Sequence, residues 1–259
     1  MQRDTLRQAV NVLAVLATIV VNGLANSLPL NGLNTGEISD RFSVYFVPAG
    51  YVFGIWGLIY LGMIGFAVYQ ALPSQRENPR LRRIGYLFAW SCLANIVWLF
   101  LWHYEVFNLT IIAMAALLGL LIAIYLRLDS GRAQARAAEK WLVDIPFSVY
   151  LGWISVATIA NATDVLYYRG WSGWGISPVA WTLIMLAAGL ALSAIMGLTR
   201  GDIAYQLVII WAFAGIAVKQ AGAPIVSSAA WAAAALAAIV LIASLIARSR
   251  RGWPLVPAG

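Results

Sequence analysis

The chain has 259 residues, of which 62% are hydrophobic and 10% are charged, and its formal net charge is +7. An ordinary soluble domain has about 25% charged residues, so this composition excludes a soluble globular protein and favours one whose outer surface lies in a lipid bilayer. The basic residues stand in short runs between apolar stretches, which argues against a nucleic-acid-binding protein, because such a protein gathers them on one face.

Stretches of about 20 mainly apolar residues predict eight membrane-spanning helices. In chain order they are Gln8–Leu28, Tyr51–Leu72, Ile84–Leu101, Leu109–Leu128, Trp141–Ala162, Pro178–Leu198, Ile203–Val218 and Val226–Ala247. The first has the basic start of a signal peptide, but its apolar stretch is long, and we expect an uncleaved helix. Leu72–Ser74 and Asn78-Pro79 carry turn residues and are expected to end the second helix. The sequence therefore predicts an all-α membrane protein.

The distribution of Lys and Arg predicts the orientation, because cytoplasmic loops carry an excess of these residues. With eight helices and a cytoplasmic N-terminus, the outer loops hold three of the 17 basic residues: Arg41, Arg169 and Lys219. The cytoplasmic side then holds the other 14: Arg3, Arg7, Arg76, Arg80, Arg82, Arg83, Arg127, Arg132, Arg136, Lys140, Arg200, Arg248, Arg250 and Arg251. Both termini are expected in the cytoplasm.

Few ionisable residues lie within the predicted spans, although such residues usually mark catalytic or transport sites in membranes. Asp144 and Lys219 lie near span ends, where snorkelling or a headgroup contact suffices. His103, the single histidine, could be an axial ligand of a metalloporphyrin or an interfacial polar residue. No zinc motif, nucleotide loop or hydrolase motif is present, and the sequence assigns neither catalytic nor metal-binding residues.

The chain is rich in aromatic residues, with 12 Trp, 11 Tyr and 9 Phe. Tryptophans at segment ends indicate an interfacial belt; they are Trp102, Trp171, Trp174 and Trp253. Others fall inside spans, where an indole N–H needs a polar partner; they are Trp56, Trp98, Trp153 and Trp211. Mid-span polar residues offer such partners: Asn95, Ser155, Thr158 and Asn161. This pattern fits a ligand pocket lined by flat aromatic faces, and it fits ordinary packing between membrane helices equally well.

Three segments resemble the TspO/MBR family of tryptophan-rich sensory proteins. They are Phe46–Tyr60 (FVPAGYVFGIWGLIY), Leu93–Trp98 (LANIVW) and Val149–Asn161 (VYLGWISVATIAN). All three occur in family order, on the predicted second, third and fifth helices. The third match is the most specific, because its Tyr, Trp, Ser, Ala, Thr and Asn all fall at the family spacing.

The resemblance covers about residues 8–165 and implies a five-helix bundle that binds a planar hydrophobic ligand such as a porphyrin or another tetrapyrrole. The positions that would line the cavity, or that share its motifs, are Phe53, Trp56, Tyr60, Asn95, Trp98, Tyr150, Trp153 and Ala157. The loop Asn31–Val47 would be its lid. The family is linked to tetrapyrrole traffic and sensing. The resemblance implies no obligatory cofactor, and the tetrapyrrole would be a ligand.

This chain departs from the family in having Val47-Pro48 in place of two prolines, and Val149 in place of another proline. It also has eight predicted helices instead of five. We therefore expect a TspO-like bundle at residues 1–165 and three additional transmembrane helices with a short basic tail at 166–259. The expected partners are membrane lipid, the hydrophobic ligand and, from the family's habit, a second copy of the chain.

Two other functions stay open from the sequence. One is a transporter of small hydrophobic solutes, which would use the polar residues within the spans. The other is a membrane enzyme that degrades porphyrins in light, although the chain has few acid–base groups for catalysis. The expected location, from the charge bias and the resemblance, is a bacterial inner membrane.

Overall fold

A computed structural model describes residues 2–28, 30–131 and 135–250, and within these residues the chain forms eight long helices and no strand. The long helices are α1 (Gln2–Ser27), α2 (Ile55–Ala71), α3 (Leu87–His103), α4 (Phe107–Leu128), α5 (Ile145–Tyr168), α6 (Pro178–Arg200), α7 (Ile203–Lys219) and α8 (Pro224–Arg250). Shorter helical segments are Leu30–Gly32, Thr35–Ser39, Gly50–Gly54, Pro73–Gln75, Pro79–Ile84, Ala137–Glu139, Lys140–Asp144 and Gly173–Gly175. The predicted all-α membrane architecture is confirmed.

Six of the long helices in the described part are long and apolar enough to cross a membrane by length and composition. The other two, α3 and α7, are apolar but have 17 residues each. At 1.5 Å per residue they extend about 26 Å, slightly less than the hydrocarbon core of a typical bilayer. Such lengths lie at the lower end of the range for spanning helices.

Helices α1 to α5 form a closed ring. In this ring α1 packs against α2 and α3, α3 packs against α4, α4 against α5, and α5 closes the ring against α2. The apolar outer positions of these helices stay exposed, as the lipid-facing surface of a membrane protein requires. The inner positions carry the buried aromatic residues, so the ring encloses an aromatic interior.

Helices α6, α7 and α8 pack against one another outside the ring, and α7 joins them to α5. Gly152 makes the close approach possible, because a Cβ added there would lie 3.1 Å from the Cβ of Val208. At one end of this interface, Tyr125 and Ser148 donate hydrogen bonds to Asp202 Oδ2 over 2.8 and 2.6 Å. The last three helices are thus held to the ring by both packing and hydrogen bonds.

The structure corrects several helix boundaries predicted from the sequence, and two of them affect the candidate site or its surroundings. Asn78-Pro79 does not simply end the second helix: Asn78 caps a new helix, Pro79–Ile84, which stops at Gly85 with a φ of 59°. Helix α5 continues six residues past Ala162 to Tyr168, and within this extension the Thr163 hydroxyl donates to the Ile159 carbonyl over 2.9 Å. This extra length brings Asp164 into the bundle interior.

Candidate ligand-binding site

The aromatic interior of the ring contains two adjoining spaces, which we call the inner pocket and the outer cleft. The inner pocket has a volume of about 50 Å³ and is lined by Thr35, Ser39, Val47, Pro48, Phe53, Trp56, Trp98, Trp102, Met114, Trp153, Val156, Ala157, Ala160, Asn161 and Asp164. The outer cleft has a volume of about 360 Å³ and is lined by Asn22, Asn34, Thr35, Gly36, Glu37, Asp40, Gly50, Phe53, Trp56, Tyr60, Trp98 and Leu99. The two spaces share Phe53, Trp56 and Trp98, together with Thr35 of the loop above them.

The walls are made of aromatic rings that contact one another. Trp56 stacks on Tyr60 with a centroid distance of 5.5 Å, and its ring meets Trp153 edge-on at 6.4 Å. Phe53 also packs edge-on against Trp153, at 5.8 Å. On the opposite wall, Trp98 stacks on Trp102 at 5.5 Å. Such contacts fix the rings in place, so the pocket presents rigid flat faces.

A buried polar chain links three helices of the ring. Asn22 of α1 donates to Asn95 Oδ1 over 2.9 Å, and Asn95 of α3 donates to the Tyr150 hydroxyl of α5 over 3.2 Å. Asn95 and Tyr150 are almost fully buried. Because buried amides are costly unless they are hydrogen-bonded, this chain fixes how α1, α3 and α5 sit relative to one another.

The eight residues predicted from the resemblance therefore divide into two groups. Six line the inner pocket or the outer cleft: Phe53, Trp56, Tyr60, Trp98, Trp153 and Ala157. Asn95 and Tyr150 line neither space and belong to the hydrogen-bonded chain between the helices. Their hydrogen bonds join the helices that carry the aromatic walls, and their part in ligand binding stays a prediction.

The loop after α1 covers both spaces, at the place where the resemblance puts a lid. It contains the short helix Thr35–Ser39, which Asn34 and Glu37 stabilise through reciprocal hydrogen bonds with each other's backbone. Trp102 donates its indole N–H to the Thr35 carbonyl over 3.2 Å. Arg41 pairs with Glu105, and the hydrogen bond to Glu105 raises the pKa of the guanidinium.

His103 holds the lid to the end of α3. Its Nδ1 lies 3.1 Å from the Leu30 carbonyl and its Nε2 lies 3.1 Å from the Thr35 hydroxyl. Because a carbonyl only accepts, Nδ1 carries the proton, and in the neutral ring Nε2 accepts from Thr35. The side chain is fully buried. In this arrangement both ring nitrogens of His103 contact the lid, and the two alternatives for this residue both stay predictions.

The inner pocket also contains polar atoms that have no hydrogen-bond partner. They are Trp98 Nε1, Trp153 Nε1, Asn161 Oδ1 and Asp164 Oδ1. Ser155 and Thr158, predicted as partners for the indoles, instead donate to carbonyls of their own helix, at Leu151 and Ile154. The residues around the pocket thus hold two N–H groups and two oxygen atoms that lack a hydrogen-bond partner within the described part of the chain.

Sequence reasoning missed Asp164, because the predicted fifth helix ended at Ala162. The available signal was helical spacing: Trp153, Ala157, Asn161 and Asp164 recur every three or four residues and share one face. Trp102 was also misplaced, since it was predicted in the interfacial belt and lies buried beside Trp98.

Other predicted positions lie elsewhere. Trp174 is 78% exposed, as a belt residue should be, whereas Trp211 is 42% exposed and donates to the Val52 carbonyl over 3.2 Å. Trp253 lies outside the described residues. Asp144 is buried in an ion pair of 2.8 Å with Arg80, so its role is structural. Lys219 pairs with Asp40 of the lid.

Two larger grooves of about 680 Å³ each open beside the last three helices. One runs between α2, α5 and α7, and the other between α5 and α6. Both have mainly apolar linings and open on the outside of the ring, where lipid chains would lie. Among the described residues, no group of three or more His, Cys, Asp or Glu side chains is placed to hold a metal ion.

Eight long apolar helices, five of them around an aromatic interior closed by a loop, define an all-α, multi-pass integral membrane protein with an internal pocket. The family of TSPO-like proteins matches residues 8–245, and the chain belongs to this family. The match reaches into α8 and so includes the three helices that lie beyond the motif resemblance at 8–165. Neither the curated proteins nor the solved structures gave a match.

Proposed function

We propose that this protein is a ligand-binding sensory protein of the membrane that takes a planar hydrophobic ligand, such as a tetrapyrrole, between its aromatic walls. The observation that carries the proposal is the meeting of Trp56, Trp98 and Trp153, from three different helices, around one space beneath one lid. Flat aromatic faces with a few polar atoms are the usual lining of a site for a planar apolar ligand.

The size of the two spaces sets a condition on binding. Ligand pockets usually measure about 300–1,000 Å³, a range that the outer cleft reaches at about 360 Å³ and the inner pocket, at about 50 Å³, does not. Thr35 lines both spaces. A macrocycle in contact with Trp153 therefore requires the lid to move away from the ring.

Titration with protoporphyrin IX and with its dimethyl ester, followed by tryptophan fluorescence, tests the proposal. We expect saturable quenching by at least one of them, and a Trp153→Ala variant whose affinity falls about fivefold or more, because a base-sized stacking contact is worth about 1–3 kcal/mol. Trp231→Ala is the matched control, since Trp231 is 51% exposed on α8. Absence of saturation, or equal losses in both variants, would reject the proposal.

We further propose that both termini face the cytoplasm of a bacterial cell and that the lid faces the opposite side. The support is the sequence bias of 14 basic residues to 3, with Arg41, Arg169 and Lys219 on the lid side. In a Cys92→Ala background, a membrane-impermeant maleimide should label Ser172→Cys in cells with an intact inner membrane. It should label Ser74→Cys only after lysis, and the reverse pattern would invert the topology.

A further inference from the structure

Asp164 is an acidic residue buried in the wall of the inner pocket, where the charge of Lys219 acts on it. It is 3% exposed and lines the pocket one turn of α5 beyond Asn161. Its Oδ1 has no hydrogen-bond partner, and no ion pair involves it within the part of the chain that the structure describes. A buried carboxylate is costly unless it is paired or protonated, so a cation that enters the pocket would stabilise the charged form of Asp164.

Each basic loop residue at this end of the molecule contacts another side chain, and Arg169 donates to Asn108 Oδ1 over 2.7 Å. Lys219 pairs with Asp40, and Arg41 pairs with Glu105. His103 is occupied by the lid through both of its ring nitrogens. A cation for Asp164 is therefore best supplied from outside the chain.

The surroundings of Asp164 suit a positively charged nitrogen. Asn161 donates its amide to Thr110 over 2.9 Å, which leaves its Oδ1 as a second free acceptor in the pocket. The rings of Trp98, Trp102 and Trp153 line the same space. Aromatic faces attract cations, and such sites combined with a carboxylate are typical of ammonium recognition.

We propose that the inner pocket binds the amino group of an aromatic or other flat hydrophobic amine, with Asp164 as its counter-ion and Asn161 as a second acceptor. The volume of about 50 Å³ fits a primary ammonium group, since one water occupies about 30 Å³ in the liquid. This inference rests on the proposed function in that it concerns the same pocket, and it adds a charge preference: amines bind, and carboxylates of equal size are rejected.

Calorimetric titration of the full chain in nanodiscs of zwitterionic phosphatidylcholine tests this preference. The probes are 2-phenylethylamine, 2-phenylethanol and phenylacetate, which share a phenyl ring and differ in charge. We expect the amine to bind at least tenfold more tightly than the alcohol or the acid. Equal binding of the three probes, or no binding of the amine, would overturn the inference without any variant.

The Asp164→Asn variant tests whether the preference for the amine depends on this carboxylate. It should weaken the amine at least tenfold and remove the difference between amine and alcohol, because it keeps the shape and removes the charge. Asp129→Asn is the control, because Asp129 caps the C-terminal end of α4, away from the pocket. This variant should bind the amine as tightly as the wild type does. Unchanged amine affinity in Asp164→Asn would contradict the assignment.

The porphyrin titration separates failure of this inference from failure of the proposed function. Saturable porphyrin binding without amine preference would leave the proposed function standing and reject the amine site. Amine preference that depends on Asp164, without porphyrin binding, would support the amine site and reject the tetrapyrrole.

Discussion

His103 determines how firmly the lid is closed, and its removal gives a quantitative prediction. A His103→Phe substitution keeps a flat ring and removes both hydrogen bonds to the lid, at Leu30 and Thr35. At about 1 kcal/mol per hydrogen bond, closure loses about 2 kcal/mol, which raises the population of the open lid about 30-fold. Thr35→Val removes one of the two bonds, so it should raise that population about fivefold.

Hydrogen exchange of the lid amides measures this population, because exchange in the native state reports local opening. The relevant amides are those of Gly36 and Glu37, which both donate to Asn34 when the lid helix is formed. Tyr104→Phe is the control, since this neighbouring side chain is 58% exposed. Lid exchange in His103→Phe within about twofold of the wild type would refute the assignment of His103 as the closing contact.

Two further predictions concern the interface between the ring and the last three helices. A Gly215→Ala substitution places a Cβ 2.2 Å from Val52 Cγ2, so it should destabilise the protein by about 1–3 kcal/mol and lower its melting temperature in detergent. Adding Val52→Ala should restore part of that loss. If the effects of the two substitutions simply add in the double variant, the clash is contradicted. Asp202→Ala removes the carboxylate that accepts hydrogen bonds from Tyr125 and Ser148. It should lower the free energy of unfolding by about 2 kcal/mol, and an unchanged melting temperature in the same assay would count against this contact.

The positions of the eight long helices could be predicted because the apolar runs are long and the interruptions are short. The start of the first helix was predicted wrongly because a polar residue lies inside it with a partner that the sequence does not reveal. Helix α1 begins at Gln2 rather than Gln8, and Gln8 is buried and donates to the Gln70 carbonyl over 2.6 Å. A search for apolar runs places the helix start at this polar residue, although the helix continues past it and the hydrogen bond to Gln70 stabilises it there.

The candidate site was predictable where motif residues share a face, and unpredictable where tertiary contacts decide. Trp56, Trp98 and Trp153 meet as the resemblance implies. The lid helix Thr35–Ser39 was not predicted, although Asn34 and Glu37 form a readable capping pattern. Nothing in the local sequence shows that Trp102 turns inward, because its place depends on stacking with Trp98 and on the lid.

Helix α7, one of the last three helices, contacts the lid segment and the turn that follows it. Lys219 at the end of α7 pairs with Asp40, and the adjacent Gln220 donates to the Tyr45 carbonyl over 3.1 Å. Further along, the Ala49 N–H donates to the Gly215 carbonyl over 3.0 Å.

The lid is therefore held on one side by α3 through His103 and on the other side by α7. If ligand binding moves the lid away from the ring, as proposed above, contacts with both helices break. The family match at residues 8–245 includes these last three helices as well as the ring.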